Sequence, residues 1–203
     1  ANKPVLHENG FLTRDPRMDE ESKKTGLNFS LLATPAEGLS GRFVKIDRKK
    51  FGKIEGVTDR EYYTNSFHVP VYFPINAFRK IKLEAPYHAL TNAGHISYVE
   101  LDGDPLQNLE AFEQIIRCMK ESGIGYGSIN HPVDRDPCCG YTGIIGDVCP
   151  KCGRSDHGDT TRFERIRRIT GYLVGTVDRF NNGKRAEERD RVKHSVSADD
   201  AEI

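Results

Sequence analysis

Four of the chain's five cysteines, Cys138, Cys139, Cys149 and Cys152, fall within fifteen positions, while Cys118 stands apart. Crowding of this kind is metal spacing, not disulfide spacing. Cys149-Pro-Lys-Cys152-Gly-Arg has the form of a zinc knuckle: two thiolates three positions apart share one ion, and the glycine lets backbone amides turn toward the sulfurs. Cys139-Gly140-Tyr141 reads as the second knuckle. A CxxC pattern there needs a cysteine at position 136, where Asp136 stands, and Cys138 is displaced by two. Cys139, Cys149 and Cys152 are therefore assigned as ligands, with Cys138, Asp136 and His131 as candidates for the fourth. Cys138 ranks first, because thiolate best completes a closed structural site. Such a site holds a shape and does not hydrolyse. Reduced cysteines packed in a small core are the alternative. Cys118, between apolar positions of a predicted helix, reads as a half-buried packing residue.

The 203 residues suffice for one domain with a real core, or for a core with a small appendage. Thirty basic and thirty acidic residues cancel, which removes the electrostatic footprint of a protein that lives on nucleic acid or on an anionic membrane and favours small-molecule chemistry. No apolar run approaches the ~20 residues of a membrane span, and "ANKPVLHENG" lacks a basic-then-apolar signal pattern. The chain is read as cytoplasmic.

Residues 1–27 are polar and read as irregular. "FSLLATPAEGLSGRFVKI" runs from a strand-like stretch through Pro35 and Gly38 into a predicted helix. "HISYVELDG" reads as a buried strand. "DPLQNLEAFEQIIRCMKESG" is the strongest helix signal, with Asp104 as its cap, Pro105 in the first turn, Leu109, Phe112, Ile116 and Met119 on one face and Gly123 at its end. "IGYGSIN" follows as a short strand, so strand, helix and strand alternate as in an α/β protein. A cysteine-rich insert and a charged segment, "KRAEERDRVKH", complete the chain.

Two further stretches allow two readings each. The turn at Thr34-Pro35 leaves free backbone N–H groups and a hydroxyl that suit a phosphate, as any strand-to-helix turn does. The run Arg162–Ile169, ending at Gly171, looks like a basic helix closed by a left-handed glycine. His68, His88, His95 and His131 stand in apolar or turn contexts, where a satisfied structural histidine is commoner than a ligand or base.

Taken in order, "FSLLATPAEGLSGRF", "YYTNSFHVPV", "EAPYHALTNAGHISYVELDGDP", "GIGYGSINHPVDRDPCCGY", "CPKCGR" and "RRITGYLVGTVDRFNNGKRAEERDRVKH" closely resemble the C-terminal part of the anaerobic (class III) ribonucleoside-triphosphate reductases. The resemblance spans about Asn9 to His194 and implies a glycyl radical enzyme. It implies that Gly171, ahead of Tyr172-Leu173, carries the radical, installed by an activase with a [4Fe–4S] cluster and S-adenosylmethionine. Glycine suits this because a Cα radical delocalises between amide nitrogen and carbonyl, and a side chain hinders the planar arrangement. The radical then takes hydrogen from a catalytic cysteine, whose thiyl radical removes hydrogen from C3′ of a ribonucleoside triphosphate, and the 2′-hydroxyl leaves as water. The resemblance also gives weight to Thr34, Ala36, Glu37, Gly38 and Ser40 as a phosphate turn, acting chiefly through backbone amides.

On the same grounds residues 1–130 are expected to form part of a β/α barrel with the phosphate turn. Residues 131–157 are expected to form a zinc ribbon, and 158–203 the radical loop and a charged C-terminal helix. No residue here matches the catalytic cysteine or the effector domain, both expected upstream. The chain thus reads as a C-terminal fragment or separately encoded half, inactive by itself, whose partners are an upstream half, the activase and a second copy in a homodimer. A stand-alone glycyl radical carrier and a non-enzymatic zinc-ribbon module are the alternatives.

Overall fold

The structure, a computed structural model, describes residues 16–33, 40–64, 67–131, 133–156, 161–169, 172–174 and 180–194. Its elements in chain order are α1 (Pro16–Thr25), α2 (Ser40–Phe51), α3 (Ala77–His88), β1 (Ser97–Glu100), α4 (Leu109–Ser122), β2 (Gly127–Asn130), β3 (Val133–Arg135), β4 (Thr142–Gly143), β5 (Glu164–Ile169), β6 (Tyr172–Val174) and α5 (Asn182–Asp190). The strands make two sheets, a parallel pair β1-β2 and an antiparallel sheet in the order β4-β3-β5-β6.

β1, α4 and β2 form a βαβ unit in which Ser97 faces Gly127 and Glu100 faces Asn130. A parallel connection needs a crossover, and α4 supplies it. Asp104 caps only a 3₁₀ turn, Pro105–Gln107, through its side chain to the Leu106 N–H; Asn108 caps α4 by accepting from Ala111 N–H. Gly123 closes α4 with φ 80°, as expected. The buried face differs from the expected one: Ile115 and Met119 are buried, whereas Leu109 and Ile116 are exposed. Ile115 and Met119 pack on Ala77, Phe78 and Ile81 of α3 and on Val99 of β1, with Cys118 half-buried at the edge. Gly127 lets Met119 pack closely there, since a Cβ would stand 2.5 Å from Met119 Sδ and would make that side chain shift.

α3 was not legible as a helix, and it carries charge into the interior. Lys80 Nζ lies 2.7 Å from Glu84 Oε1, which also accepts from Val69 N–H at 2.8 Å. Burial opposes ionisation of Glu84, but His68 and Lys80 outweigh it and hold its carboxyl at about 2.

Two predicted elements are corrected. Part of the polar N-terminal stretch is helical, since Pro16 starts α1 and Lys24 pairs with Glu21 one turn earlier at 2.7 Å. The basic run before Gly171 is not a helix. Glu164–Ile169 is β5, paired with β3 on one side and β6 on the other. Opposite charges face each other across the β3–β5 pair, as in Arg135–Glu164 at 3.0 Å.

Candidate metal centre and radical segment

The cysteine segment folds as two matching turns. In the second, Cys149 N–H donates to Arg154 C=O at 2.8 Å and Gly153 N–H to Cys149 C=O at 2.9 Å. In the first, Asp136 N–H donates to Tyr141 C=O at 2.9 Å and Gly140 N–H to Asp136 C=O at 2.9 Å. Gly140 and Gly153 both adopt φ 72°, a conformation in which a Cβ is strained. Asp136 therefore occupies in the first turn the place that Cys149 occupies in the second.

Four donor atoms converge from these turns. One each from Asp136, Cys139, Cys149 and Cys152 lie within 4.8 Å of one another. Asp136 Oδ2 is 3.4 Å from Cys139 Sγ and 3.1 Å from Cys152 Sγ, and Cys139 Sγ is 3.6 Å from Cys149 Sγ. Ligand atoms ~2.0–2.3 Å from a tetrahedral ion sit about 3.3–3.8 Å apart, so the set fits such an ion with little adjustment. Cys138, ranked first as the fourth ligand, stands outside the group. It is exposed, and its N–H donates to Asp136 Oδ1 at 2.9 Å. His131 is outside the group too. The signal for Asp136 was the spacing itself, Asp-x-x-Cys-Gly beside Cys-x-x-Cys-Gly; a search for sulfur alone passes over it.

Electrostatics prepare the group for a cation. Arg154 Nη2 donates to Asp136 Oδ1 at 2.8 Å, and this guanidinium holds the carboxyl well below the usual carboxylate range. Burial pushes the Cys149 thiol up, but the amides of Cys152 and Lys151 outweigh it and bring it below its ordinary value. The Arg154 amide pulls Cys152 down; the Asp136 carboxylate and burial overcome it and push this thiol up to about 12. The group packs against Ile145 and Phe163. Arg165 fastens it to β5 by donating to Ile145 C=O at 2.7 Å and Gly146 C=O at 3.0 Å, while Asp134 accepts from Ile145 N–H at 3.0 Å.

β5 leads from this group toward Gly171, the residue expected to carry the radical. Ile169 faces Tyr172 across the β5–β6 pair. Thr170 and Gly171 join these ends and lie outside the described residues. Among the proposed phosphate residues, Thr34, Ala36, Glu37 and Gly38 also lie outside them, and Ser40 begins α2. The chain just before this segment is pinned: Ala33 N–H donates to Gly94 C=O at 2.9 Å and Ala93 N–H to Leu31 C=O at 3.0 Å.

Three of the histidines named above form a cluster. The His88 and His95 rings stack at 4.2 Å, and His68 meets His95 edge-on at 5.2 Å. His88 Nδ1 accepts from Gly125 N–H at 3.2 Å, which leaves Nε2–H to donate to Ser97 Oγ at 2.9 Å.

The model of one family, anaerobic ribonucleoside-triphosphate reductase, matches residues 13–194. The chain belongs to that family. The reductase of Enterobacteria phage T4 is 44% identical over 179 residues, 85% of this chain and 29% of the phage protein. That of Escherichia coli strain K12 is 42% identical over 183 residues, 87% of this chain and 25% of the bacterial protein. The chain thus spans about a quarter of the length of these reductases. A solved anaerobic ribonucleotide reductase superposes with a TM-score of 0.70 at 22% identity, over 90% of this chain and 27% of the other. The Thermotoga maritima enzyme, solved in complex with dATP and CTP, gives 0.62 at 23% identity over 85% of this chain and 26% of the other. These superpositions establish a mixed α/β fold shared with the reductases. Among the described residues, no helix is long and apolar enough to cross a membrane.

Proposed function

We propose that this chain is the radical-bearing C-terminal region of an anaerobic ribonucleoside-triphosphate reductase, and that it works joined to an upstream region carrying the catalytic cysteine and effector domain. The observation that carries this reading is the family match over residues 13–194. Residues 1–130 contribute part of the barrel wall. Thr34, Ala36, Glu37, Gly38 and Ser40 hold the substrate triphosphate, mainly through backbone amides, and Gly171 bears the radical. Hydrogen passes from the upstream cysteine to Gly171, and the cysteine then acts on C3′ of the ribonucleotide.

Residues 131–157 form the zinc ribbon in this reading. Asp136, Cys139, Cys149 and Cys152 hold the ion, in place of the set that includes Cys138. A bound Zn²⁺ supplies no chemistry to the nucleotide; it fixes two turns that too few apolar residues could fix alone. Because β3 and β5 run from this group to the end of β5, the module holds the strand that presents Gly171. The activase and a homodimeric assembly belong to the same reading.

Oxygen tests it. It adds to a backbone carbon radical and leads to cleavage at that residue. After activation by a [4Fe–4S]/S-adenosylmethionine activase, the assembled reductase should show an organic radical signal. Air should then release a C-terminal piece beginning near Tyr172, seen by mass spectrometry. Gly171→Ala should abolish both signal and cut, and Gly175→Ala should keep them. An intact C-terminus in a sample with a verified radical would place the spin elsewhere.

A further inference from the structure

α2 and α5 each carry a glycine in the first turn, where alanine would make a more stable helix. The reason is their crossing. A Cβ at Gly183 would stand 2.8 Å from Gly41 Cα and 2.9 Å from Gly41 N. A Cβ at Gly41 would stand 3.1 Å from both Gly183 Cα and the Glu61 carbonyl oxygen. The obstacles are backbone atoms, so no side chain can rotate aside, and any added carbon must separate the helices. Val44 and Ala186, fully and almost fully buried, extend the seam one turn further along each helix.

α5 is not free to yield by sliding. Asp190 at its end accepts from Tyr62 Oη at 3.1 Å and pairs with Arg60 at 2.9 Å. Arg191 reaches Glu100 of β1 at 2.5 Å, and His194 N–H donates to Glu100 C=O at 2.8 Å. A wedge at the glycine contact therefore tilts the start of α5 while its far end stays in place.

The two glycines stand at informative points along the chain. Gly41 is three residues beyond Gly38 of the phosphate segment, and α5, beginning at Asn182, is the first helix after Gly171 among the described residues. We propose that the Gly41–Gly183 contact is a positioning device: it sets the register between the substrate-phosphate segment and the radical-bearing segment. Neither glycine touches a reactant; each acts through the helix it begins. The inference rests on the reading given under Proposed function, and it assigns to these residues the spacing on which hydrogen transfer depends. Misplacement by about 1 Å far from the reacting atoms can lower turnover on the order of a hundredfold.

The test uses the reductase with its upstream region present, activated anaerobically, with turnover expressed per Gly171 radical measured by electron paramagnetic resonance. Gly183→Ala should retain zinc and radical, yet its turnover per radical should fall at least tenfold. Gly41→Ala, whose added carbon is less crowded, should fall by less but still more than twofold. Gly123→Ala is the control: φ 80° makes that substitution strained, but nothing lies within 4 Å of the added carbon. It should lower Tm while leaving turnover per radical within twofold. A Gly183→Ala enzyme within twofold of the unsubstituted one would overturn the proposal. If Gly183→Ala fails to fold, an unaltered Gly41→Ala would overturn it equally. Absence of any Gly171 radical in the activated unsubstituted enzyme would instead sink the functional reading beneath it.

Discussion

The parallel pair β1-β2 and the antiparallel sheet β4-β3-β5-β6 sit against different kinds of interior. Against the first lie Ala77, Phe78, Ile81, Val99, Ile115 and Met119, an apolar cluster drawn from two helices and a strand. Against the second lie Ile145, Cys149 and Phe163, with Cys139 and Tyr141 at the margin. The first is an ordinary core, in which burying each large side chain contributes about 1.5–3 kcal/mol. The second is a smaller apolar cluster serving about thirty residues, the kind of unit that a metal cross-link, as proposed, would help to order. The comparison teaches where each region is vulnerable: the body to cavities, the module to loss of the ion proposed for it.

Removing the metal should produce the largest effect. With chelator, or with Cys149→Ser or Asp136→Asn, residues 131–169 should lose amide protection in hydrogen exchange while α3, α4 and β1 keep theirs. Metal analysis finding no zinc in reduced, folded protein would break the comparison outright. Next in size is a cavity in the body. Ile115→Ala should cost about 2–5 kcal/mol in urea unfolding, with zinc content unchanged; a loss of zinc would mean that the two regions are one cooperative unit.

Acid should act on the body more gently. Burial first, then His88 and His68, hold His95 at about 4, and burial first, then Lys80, holds His194 at about 4. Both folded values lie below the ordinary 6.5, so between them the unfolded chain binds more protons. The stability they contribute is present above 6.5 and is lost as pH falls toward 4. Glu84, at about 2, titrates below this window. The urea midpoint reported by the body should therefore drop between pH 6.5 and 5, and His95→Phe should flatten part of the slope; a level profile in the unsubstituted protein would count against the depressed histidines. The smallest effect belongs to Cys138→Ser, which should leave zinc content and stability within error. Release of metal by that variant would restore Cys138 as ligand in place of Asp136.

The sequence made α4, β1 and β2 legible because apolar period and glycine punctuation coincide there. It misassigned the face of α4 because Ile115 and Ile116 are adjacent and either can complete an apolar stripe; the packing of α3 selects Ile115, and α3 itself, with Lys80, Glu84 and Pro86, carries no clean apolar period. β5 was misread because what makes it a strand is its pairing with β3 on one side and β6 on the other, which its own charged sequence does not display. In the metal group three sulfurs were legible by spacing. Asp136 was visible by the same spacing but not by element, and Arg154, which keeps it ionised, became apparent only when the two turns were seen side by side.

In the proposed ligand set, Asp136 in the fourth place also changes how the group competes with protons. A thiol must give up its proton to bind a metal, whereas the Arg154-paired carboxylate has already done so. Capture of an ion by Asp136, Cys139, Cys149 and Cys152 therefore displaces protons from three sulfurs at most, one fewer than a site built of four cysteines. Its affinity falls less steeply as acidity rises, so the aspartate trades some grip on a soft ion for tolerance of acid.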